Sequence, residues 1–114
     1  MIVRVYIIES DKTEVEIWTS NRFEPTATDH QAIVEQCLNI AILNAIGNYF
    51  PHGFGMSTQR IRADNANEEL ILVHCSGRNF MHEWQADGAI KVIDRSVPDR
   101  DFIVSIIKDG AEEH

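Results

Sequence analysis

The sequence is poor in cysteine and has no long hydrophobic run. Its two cysteines, Cys37 and Cys75, argue against a disulfide framework in 114 residues, so both thiols are expected to be reduced. The longest nearly apolar run, residues 40–50, is shorter than the roughly 20 residues of a membrane-spanning helix and contains Asn44 and Asn48. We therefore expect a cytoplasmic protein.

Positive charge is also scarce. Ten Lys and Arg residues stand against 18 Asp and Glu residues, which gives a net charge of −8. This balance opposes general binding to DNA or RNA, because such binding needs a basic surface. Small ligands, basic proteins and mimicry of nucleic acid remain open as partners, and solubility alone also explains an acidic surface.

The hydrophobic content is high enough for one folded domain. At 44% hydrophobic residues, the chain can bury a core, and its length is typical of a single domain. We predict one domain over residues 1–110 and a frayed tail over residues 111–114.

Alternation of apolar and polar residues predicts a protein rich in strands. The predicted strands cover residues 2–9, 14–19, 56–62, 68–75, 89–93 and 101–107. The segment between the fourth and fifth strands is predicted as a loop or short helix. Because the strands come mostly as hairpins, we expect the α+β class, with a largely antiparallel sheet and one long helix packed on it.

The helix is predicted over residues 28–49. Thr28 with Gln31 fits a capping box, and Pro51 ends the helix. Its second half is apolar nearly all round, so more than one side must be covered. A sheet can cover one side, and we expect a second subunit on the other. The sequence therefore predicts a homo-oligomer formed through the 28–49 helix.

Potential metal ligands and nucleophiles are scattered. His52, His74, Cys75 and His82 do not share a spacing typical of a zinc site, and we predict neither a metal nor a cofactor. Cys75 with one of the nearby histidines could form a nucleophile–base pair, but no third, orienting residue is identifiable. A small Cys/His hydrolase is one alternative reading.

Basic, amide and aromatic residues gather between residues 60 and 100. Arg60 and Arg62 are predicted to share one face of a strand, and Arg78 and Asn79 follow the 68–75 strand. Arginine forks match phosphate oxygens, and aromatic rings stack on bases. In an acidic chain this group suggests binding of an anionic, nucleotide-like small molecule. Surface ion pairing with nearby carboxylates is the simpler explanation of the same arginines.

The segments GRNF (77–80) and VPDR (97–100), within a compact α+β chain that has a long apolar helix, resemble a known group of phage proteins. These are small proteins that sequester nucleotide immune signals, in particular the first-described family of Thoeris anti-defence sponges. The resemblance implies an oligomer that binds cyclic ADP-ribose isomers without degrading them. It implies ligand contacts from the following residues: Arg78, Asn79, Phe80, Trp18 and Arg100.

We therefore expect a non-enzymatic, oligomeric protein that sequesters a nucleotide-derived immune signal, of the cyclic ADP-ribose or cyclic oligonucleotide type. The alternative is an acidic inhibitor of the phage anti-CRISPR type, which would cover the nucleic-acid-binding site of a partner protein. That alternative depends on the net charge of −8 and on the acidic hairpin at residues 9–16.

Overall fold

The computed structural model describes residues 1–51, 53–62, 67–77, 80–94 and 98–108. Over these residues the chain forms seven strands, one α-helix and one 3₁₀ helix. In chain order they are β1 (Ile2–Ile8), β2 (Glu14–Thr19), α1 (His30–Asn44), the 3₁₀ helix (Ile46–Tyr49), β3 (Phe54–Arg62), β4 (Glu68–Gly77), β5 (Phe80–Trp84), β6 (Ile90–Asp94) and β7 (Arg100–Ile107). The predicted tail, 111–114, lies outside the described residues.

Five strands form one antiparallel sheet in the order β2-β1-β7-β4-β3. The hairpins β1–β2 and β3–β4 form its two sides, and β7 lies between them. Residues 102–107 of β7 are all buried, so both faces of this central strand are shielded from solvent. The prediction of an α+β domain with a largely antiparallel sheet and one packed helix is confirmed.

The core lies between α1 and one face of this sheet. Alternate residues of β1, β7 and β4 point toward the helix, as the pleat of a strand requires. They meet Cys37 and Ala41 of α1, and Ala45 and Ile46 just after it. The strand residues of this core are Val3, Val5, Ile7, Ile71, Val73, Cys75, Phe102, Val104 and Ile106. Small residues on the helix allow it to lie close to the β-branched side chains of the sheet.

The helix is shorter than predicted, and its cap is a different residue. The Oδ1 atom of Asp29 accepts hydrogen bonds from the backbone amides of Gln31, at 3.0 Å, and Ala32, at 3.3 Å. The N-cap is therefore Asp29 and not Thr28, because the Asp29 carboxylate is the group that reaches the free amides of the first turn. Neither described helix is long and apolar enough to cross a membrane.

The outward side of α1 is less apolar than its sequence suggests. Ile33, Val34, Leu38 and Ile42 are partly buried against the core, while Leu43 is 80% exposed. A single exposed leucine is ordinary on a protein surface. Association through the 28–49 helix stays a prediction.

Strand β5 replaces the loop or short helix predicted after β4. It pairs with β6 in a separate two-stranded antiparallel sheet, in which Trp84 lies opposite Ile90. The turn between them is closed by a hydrogen bond from the Gln85 amide to the Ala89 carbonyl at 2.8 Å. A two-stranded hairpin needs no buried face, so the segment lacks the alternation that identifies core strands. We call this hairpin, residues 80–94, the arm.

A register shift in the β1–β2 pair changes the orientation of Trp18. Val15 lies opposite Ile7 and Trp18 opposite Val5, and the shift falls between Val5 and Tyr6. Val15 and Trp18 therefore share the helix-facing side, although simple alternation places them on opposite faces. Trp18 is partly buried against the core, whereas simple alternation would place it on the polar face of the strand beside Glu16.

Candidate functional site

The single helix leaves part of the sheet uncovered, and a groove forms there. Five strands about 4.8 Å apart are wider than a helix of about 10 Å diameter, and α1 packs mainly over β1 and β7. The edge strand β3 and the adjacent helix surface therefore face each other across a cavity of about 540 Å³. The residues that line it are His30, Gln31, Val34, Glu35, Leu38, Thr58, Arg60 and Ile71. We call it the α1–β3 groove.

A buried carboxylate joins two of the lining residues. Glu69 Oε1 lies 2.8 Å from Nε2 of His30 and 3.4 Å from Nζ of Lys108, and Glu69 Oε2 lies 3.6 Å from Nη2 of Arg60. Arg60 Nη2 also lies 3.3 Å from His30 Nε2. One acidic group therefore holds three basic side chains from α1, β3 and the chain after β7.

The four members of this cluster differ sharply in exposure. The side chain of Glu69 is 3% exposed, whereas those of Arg60 and His30 are 48% and 53% exposed. His30 Nε2 lies between Glu69 Oε1, which only accepts hydrogen bonds, and Arg60 Nη2, which only donates them. These two contacts hold the imidazole at the groove. Glu69 Oε2 is buried and accepts no hydrogen bond from any described residue.

The local structure explains how the cluster is assembled. Glu69 shares the helix-facing side of β4 with the buried residues Ile71 and Val73. Arg60 lies opposite Ile71 in the β3–β4 register, and it therefore faces the groove beside Glu69. The Asp29 cap fixes the start of α1 and with it the position of His30.

The groove combines charged and apolar groups. Its lining includes the guanidinium of Arg60 and the carboxylate of Glu35, and Glu69 and Lys108 lie beside Arg60 and His30. Val34, Leu38 and Ile71 add an apolar wall. The combination of an apolar surface with a few convergent polar groups is typical of small-molecule sites, and the volume lies within their usual range of roughly 300–1,000 Å³.

Of the residues predicted for ligand binding, Trp18 and Arg100 do not line this groove. Arg78 and Asn79 lie outside the described residues, and Phe80 is the first residue of β5. Trp18 lies on the edge strand β2, and Arg100 begins the central strand β7, four residues from the position level with Trp18. At about 3.3 Å per residue and 4.8 Å per strand, these two positions are about 16 Å apart.

Arg100 has a local partner. Its guanidinium carbon lies 5.6 Å from the ring centre of Tyr49, within cation–π range. Tyr49 in turn packs edge-on against Phe102, with ring centres 5.5 Å apart. This contact fastens the 3₁₀ helix to the start of β7, so the structure gives Arg100 a packing role.

His74 occupies a second cavity, at the end of the sheet. Its Nδ1 lies 2.6 Å from Asp101 Oδ1, and its Nε2 lies 3.7 Å from Asp99 Oδ2. The cavity of about 360 Å³ also includes Lys12 and Arg100. Three or more His, Cys, Asp or Glu side chains arranged to hold a metal ion are not found among the described residues. His52, one of the residues considered for metal, lies outside them.

Cys75 is poorly suited to nucleophilic catalysis. It is fully buried on the helix-facing side of β4, whereas His74 points to the opposite, exposed side. Burial, together with the nearby charge of Asp101, raises the pKa of the Cys75 thiol to about 11. Since the thiolate is the nucleophile, a raised pKa lowers its reactivity at neutral pH.

The sequence contains a signal that points to Glu69. In EELILVHC (68–75), Glu69 lies in phase with Ile71, Val73 and Cys75, on the side of the strand that is buried. A buried carboxylate must have cationic partners, so the buried position of Glu69 predicts basic side chains from elsewhere in the chain. The fold determines which basic residues these are.

A search of this chain against models of protein families, curated proteins and solved structures finds no match.

Proposed function

We propose that this protein binds a small anionic, nucleotide-derived molecule in the α1–β3 groove and sequesters it without converting it. The observation that carries the proposal is the cluster around Glu69, where a buried carboxylate positions the exposed Arg60 and His30 at the groove. Phosphate oxygens fit the guanidinium of Arg60, because that group offers paired donors. This function agrees with the one implied by the resemblance to anti-defence sponges.

The size and lining of the groove support a ligand of nucleotide type. A base or ribose would lie against Val34, Leu38 and Ile71, while the phosphates would contact Arg60. The groove measures about 540 Å³, which suits a ligand of this size. A cyclic ADP-ribose isomer or a cyclic oligonucleotide has both the charge and the apolar faces that this lining complements.

The chemical groups that line the groove support sequestration of the ligand. Of the residues lining the groove, Thr58 carries a hydroxyl and none carries a thiol. His30 and Arg60 are both tied to the same buried carboxylate, an arrangement that keeps binding groups in place. Rigid, oriented donors favour tight binding of an anion without requiring a reaction.

Isothermal titration calorimetry with cyclic ADP-ribose isomers and cyclic dinucleotides tests the proposal. We expect one of these ligands to bind, and Arg60→Ala to weaken its binding at least about tenfold, which corresponds to roughly 1.4 kcal/mol. Arg4→Ala is the matched control, because Arg4 is also a strand arginine with a partly exposed side chain, paired with Glu16 at 3.6 Å. Arg78→Ala tests the site predicted from the sequence.

The results distinguish the α1–β3 groove from the site predicted from the sequence, and sequestration of the ligand from its conversion. Loss of binding in Arg60→Ala with binding kept in Arg4→Ala supports the groove. Loss in Arg78→Ala alone moves the site to the segment predicted from the sequence. Absence of binding by any of these ligands contradicts the proposal, and recovery of a chemically altered ligand after long incubation contradicts sequestration.

A second candidate function is supported by the acidic β1–β2 hairpin. Residues 9–16 are all exposed, and Glu14 and Glu16 lie on the sheet edge. Such a surface fits a basic partner protein whose nucleic-acid site it would cover. This candidate predicts a complex that weakens strongly as salt is raised and that is lost when Glu14 and Glu16 are both changed to Lys.

A further inference from the structure

The two edge strands of the five-stranded sheet differ in how well they are protected from pairing with another chain. Strand β2 is six residues long, carries Glu14 and Glu16, and has a register shift in its pairing with β1. Charged side chains and bulges of this kind hinder further pairing at an edge. Strand β3 is nine residues long, and residues 54–59 contain neither a charged residue nor a proline. The β3 edge therefore lacks the protection that β2 has.

The free side of β3 is open to solvent. The strand pairs with β4 and with no other described element, the arm included. Residues 55–61 are all exposed. In a strand with one neighbour, the backbone N–H and C=O groups that point away from the sheet are left without a ladder partner. None of these outward groups is bonded to the backbone of another described residue, so the edge can accept a further strand.

The β3 strand of a second copy has the properties that this edge requires. Two copies related by a two-fold axis bring their β3 strands together antiparallel, which is the pairing found throughout the rest of the sheet. Each β3 is already held extended by β4, so the pairing avoids the cost of ordering a flexible peptide. Strand β3 also contains no Asp or Glu, so this edge allows two chains of net charge −8 to approach with little repulsion.

The regular part of β3 indicates where the axis lies. Pairing with β4 is continuous from Phe54 to Arg60, and the register shifts after Arg60. Ser57 is the middle residue of this stretch. An axis at Ser57 pairs Phe54 with Arg60 and Met56 with Thr58 of the second copy, so the whole regular stretch is used. No two like charges then lie directly opposite each other, an arrangement that would weaken the pairing.

We propose that two copies of this chain form a dimer by pairing their β3 strands about a two-fold axis at Ser57. The result is one continuous antiparallel sheet with five strands from each copy. Both α1 helices lie on the same side of this sheet, and the two α1–β3 grooves lie next to each other, because β3 forms one wall of each. The dimer differs from the helix-mediated association predicted from the sequence, and it does not depend on the proposed ligand.

Sedimentation equilibrium and native mass spectrometry of the full chain and its variants test the pairing. We expect a dimer that Ser57→Lys weakens at least about tenfold, because the two new charges face each other at the axis. Ser57 does not line the groove, so the change leaves that surface intact. Thr19→Lys is the matched control, since Thr19 is an exposed residue of the opposite edge strand and its replacement should leave the dimer unchanged.

Disulfide cross-linking tests the position of the axis. Directly opposite residues of an antiparallel pair have Cβ atoms about 5 Å apart, close to the span of a disulfide. Ser57→Cys should therefore give a covalent dimer under mild oxidation, whereas Thr19→Cys should not. The natural thiols of Cys37 and Cys75 are buried and do not take part. Circular dichroism verifies that each variant is folded, and the cross-link decides the matter if Ser57→Lys fails to fold.

Three results overturn the proposal: a parent protein that is monomeric at about 100 µM, a dimer that Ser57→Lys leaves unchanged, or no more cross-linking in Ser57→Cys than in Thr19→Cys. Leu43→Ser tests the helix instead, because Leu43 is 80% exposed on α1. A dimer that is lost in Leu43→Ser and kept in Ser57→Lys assigns the interface to the helix and also overturns the proposal.

Discussion

His30 and Glu69 are 39 positions apart in the chain, yet Nε2 of the one lies 2.8 Å from Oε1 of the other. The contact joins the first residue of α1 to the buried side of β4. It therefore connects the two layers of the fold at the groove where we place ligand binding. Changes at this pair should therefore affect both stability and binding.

Replacing Glu69 by Gln should lower the free energy of unfolding by about 2 kcal/mol, the usual worth of hydrogen bonds to a charged group. The Glu69 side chain is buried, whereas His30 and Arg60 are about half exposed. These two basic side chains can be solvated once the ion pair is removed, so the loss of stability stays moderate. Urea denaturation measures it. Glu35→Gln, an exposed change in the same groove, is the control, and equal losses in the two variants would contradict the assigned role of Glu69.

Replacing Asp29 by Ala should cost about 1 kcal/mol of stability, because two amides of the first helical turn lose their acceptor. The same change at Thr28 should cost clearly less, although the sequence alone favours Thr28 as the cap. Thermal and urea unfolding of the two variants compare them. A larger loss in Thr28→Ala would mean that the helix begins one residue earlier.

Gly47→Ala should destabilise the protein by about 1–3 kcal/mol, as overpacking does. A Cβ atom at Gly47 would lie 2.9 Å from the carbonyl oxygen of Ile42, whereas one at Gly55 would have its nearest contact at 4.0 Å. Gly55→Ala should therefore be tolerated. Unfolding curves of the pair provide the comparison, and the prediction fails if both variants match the parent protein.

The two thiols should resist alkylation in the folded protein at pH 8 and react readily in urea. Burial raises the pKa of both Cys37 and Cys75 from 9.0 to about 11, so little thiolate is present when the chain is folded. Iodoacetamide labelling followed by mass spectrometry measures this. Rapid labelling of Cys75 in the native state would instead support the alternative function of a small Cys/His hydrolase.

The same shift in pKa has a consequence for stability at high pH. The unfolded chain ionises its thiols near pH 9 while the folded chain keeps them protonated, so the folded state binds more protons between pH 9 and about 11. The free energy of unfolding should therefore fall as pH rises through this window. Cys37→Ala and Cys75→Ala should each flatten the decline relative to the parent protein, and an unchanged slope would contradict the raised pKa values.

The type of most elements could be predicted because β1, β4 and β7 carry the alternation that a buried sheet face requires. The β1–β2 register shift could not, since one extra residue reverses the side of Trp18 without leaving a local signal. Strand β5 could not be predicted, because it pairs only with β6 in a two-stranded sheet and therefore lacks the alternation of a strand that packs on the core. The groove depends on contacts between α1, β3 and β4, and such long-range pairing is not encoded in the spacing of any single segment.

The central place of β7 also determines when this protein can fold. Strands β1 and β4 lie on either side of β7 and do not pair with each other, so the two N-terminal hairpins have no common sheet until residues 100–107 have been synthesised. A ribosome-bound chain that lacks these residues exposes the core-facing side chains of both hairpins. Folding is therefore expected after β7 leaves the ribosome, and the nascent chain depends until then on whatever keeps its apolar strands from aggregating.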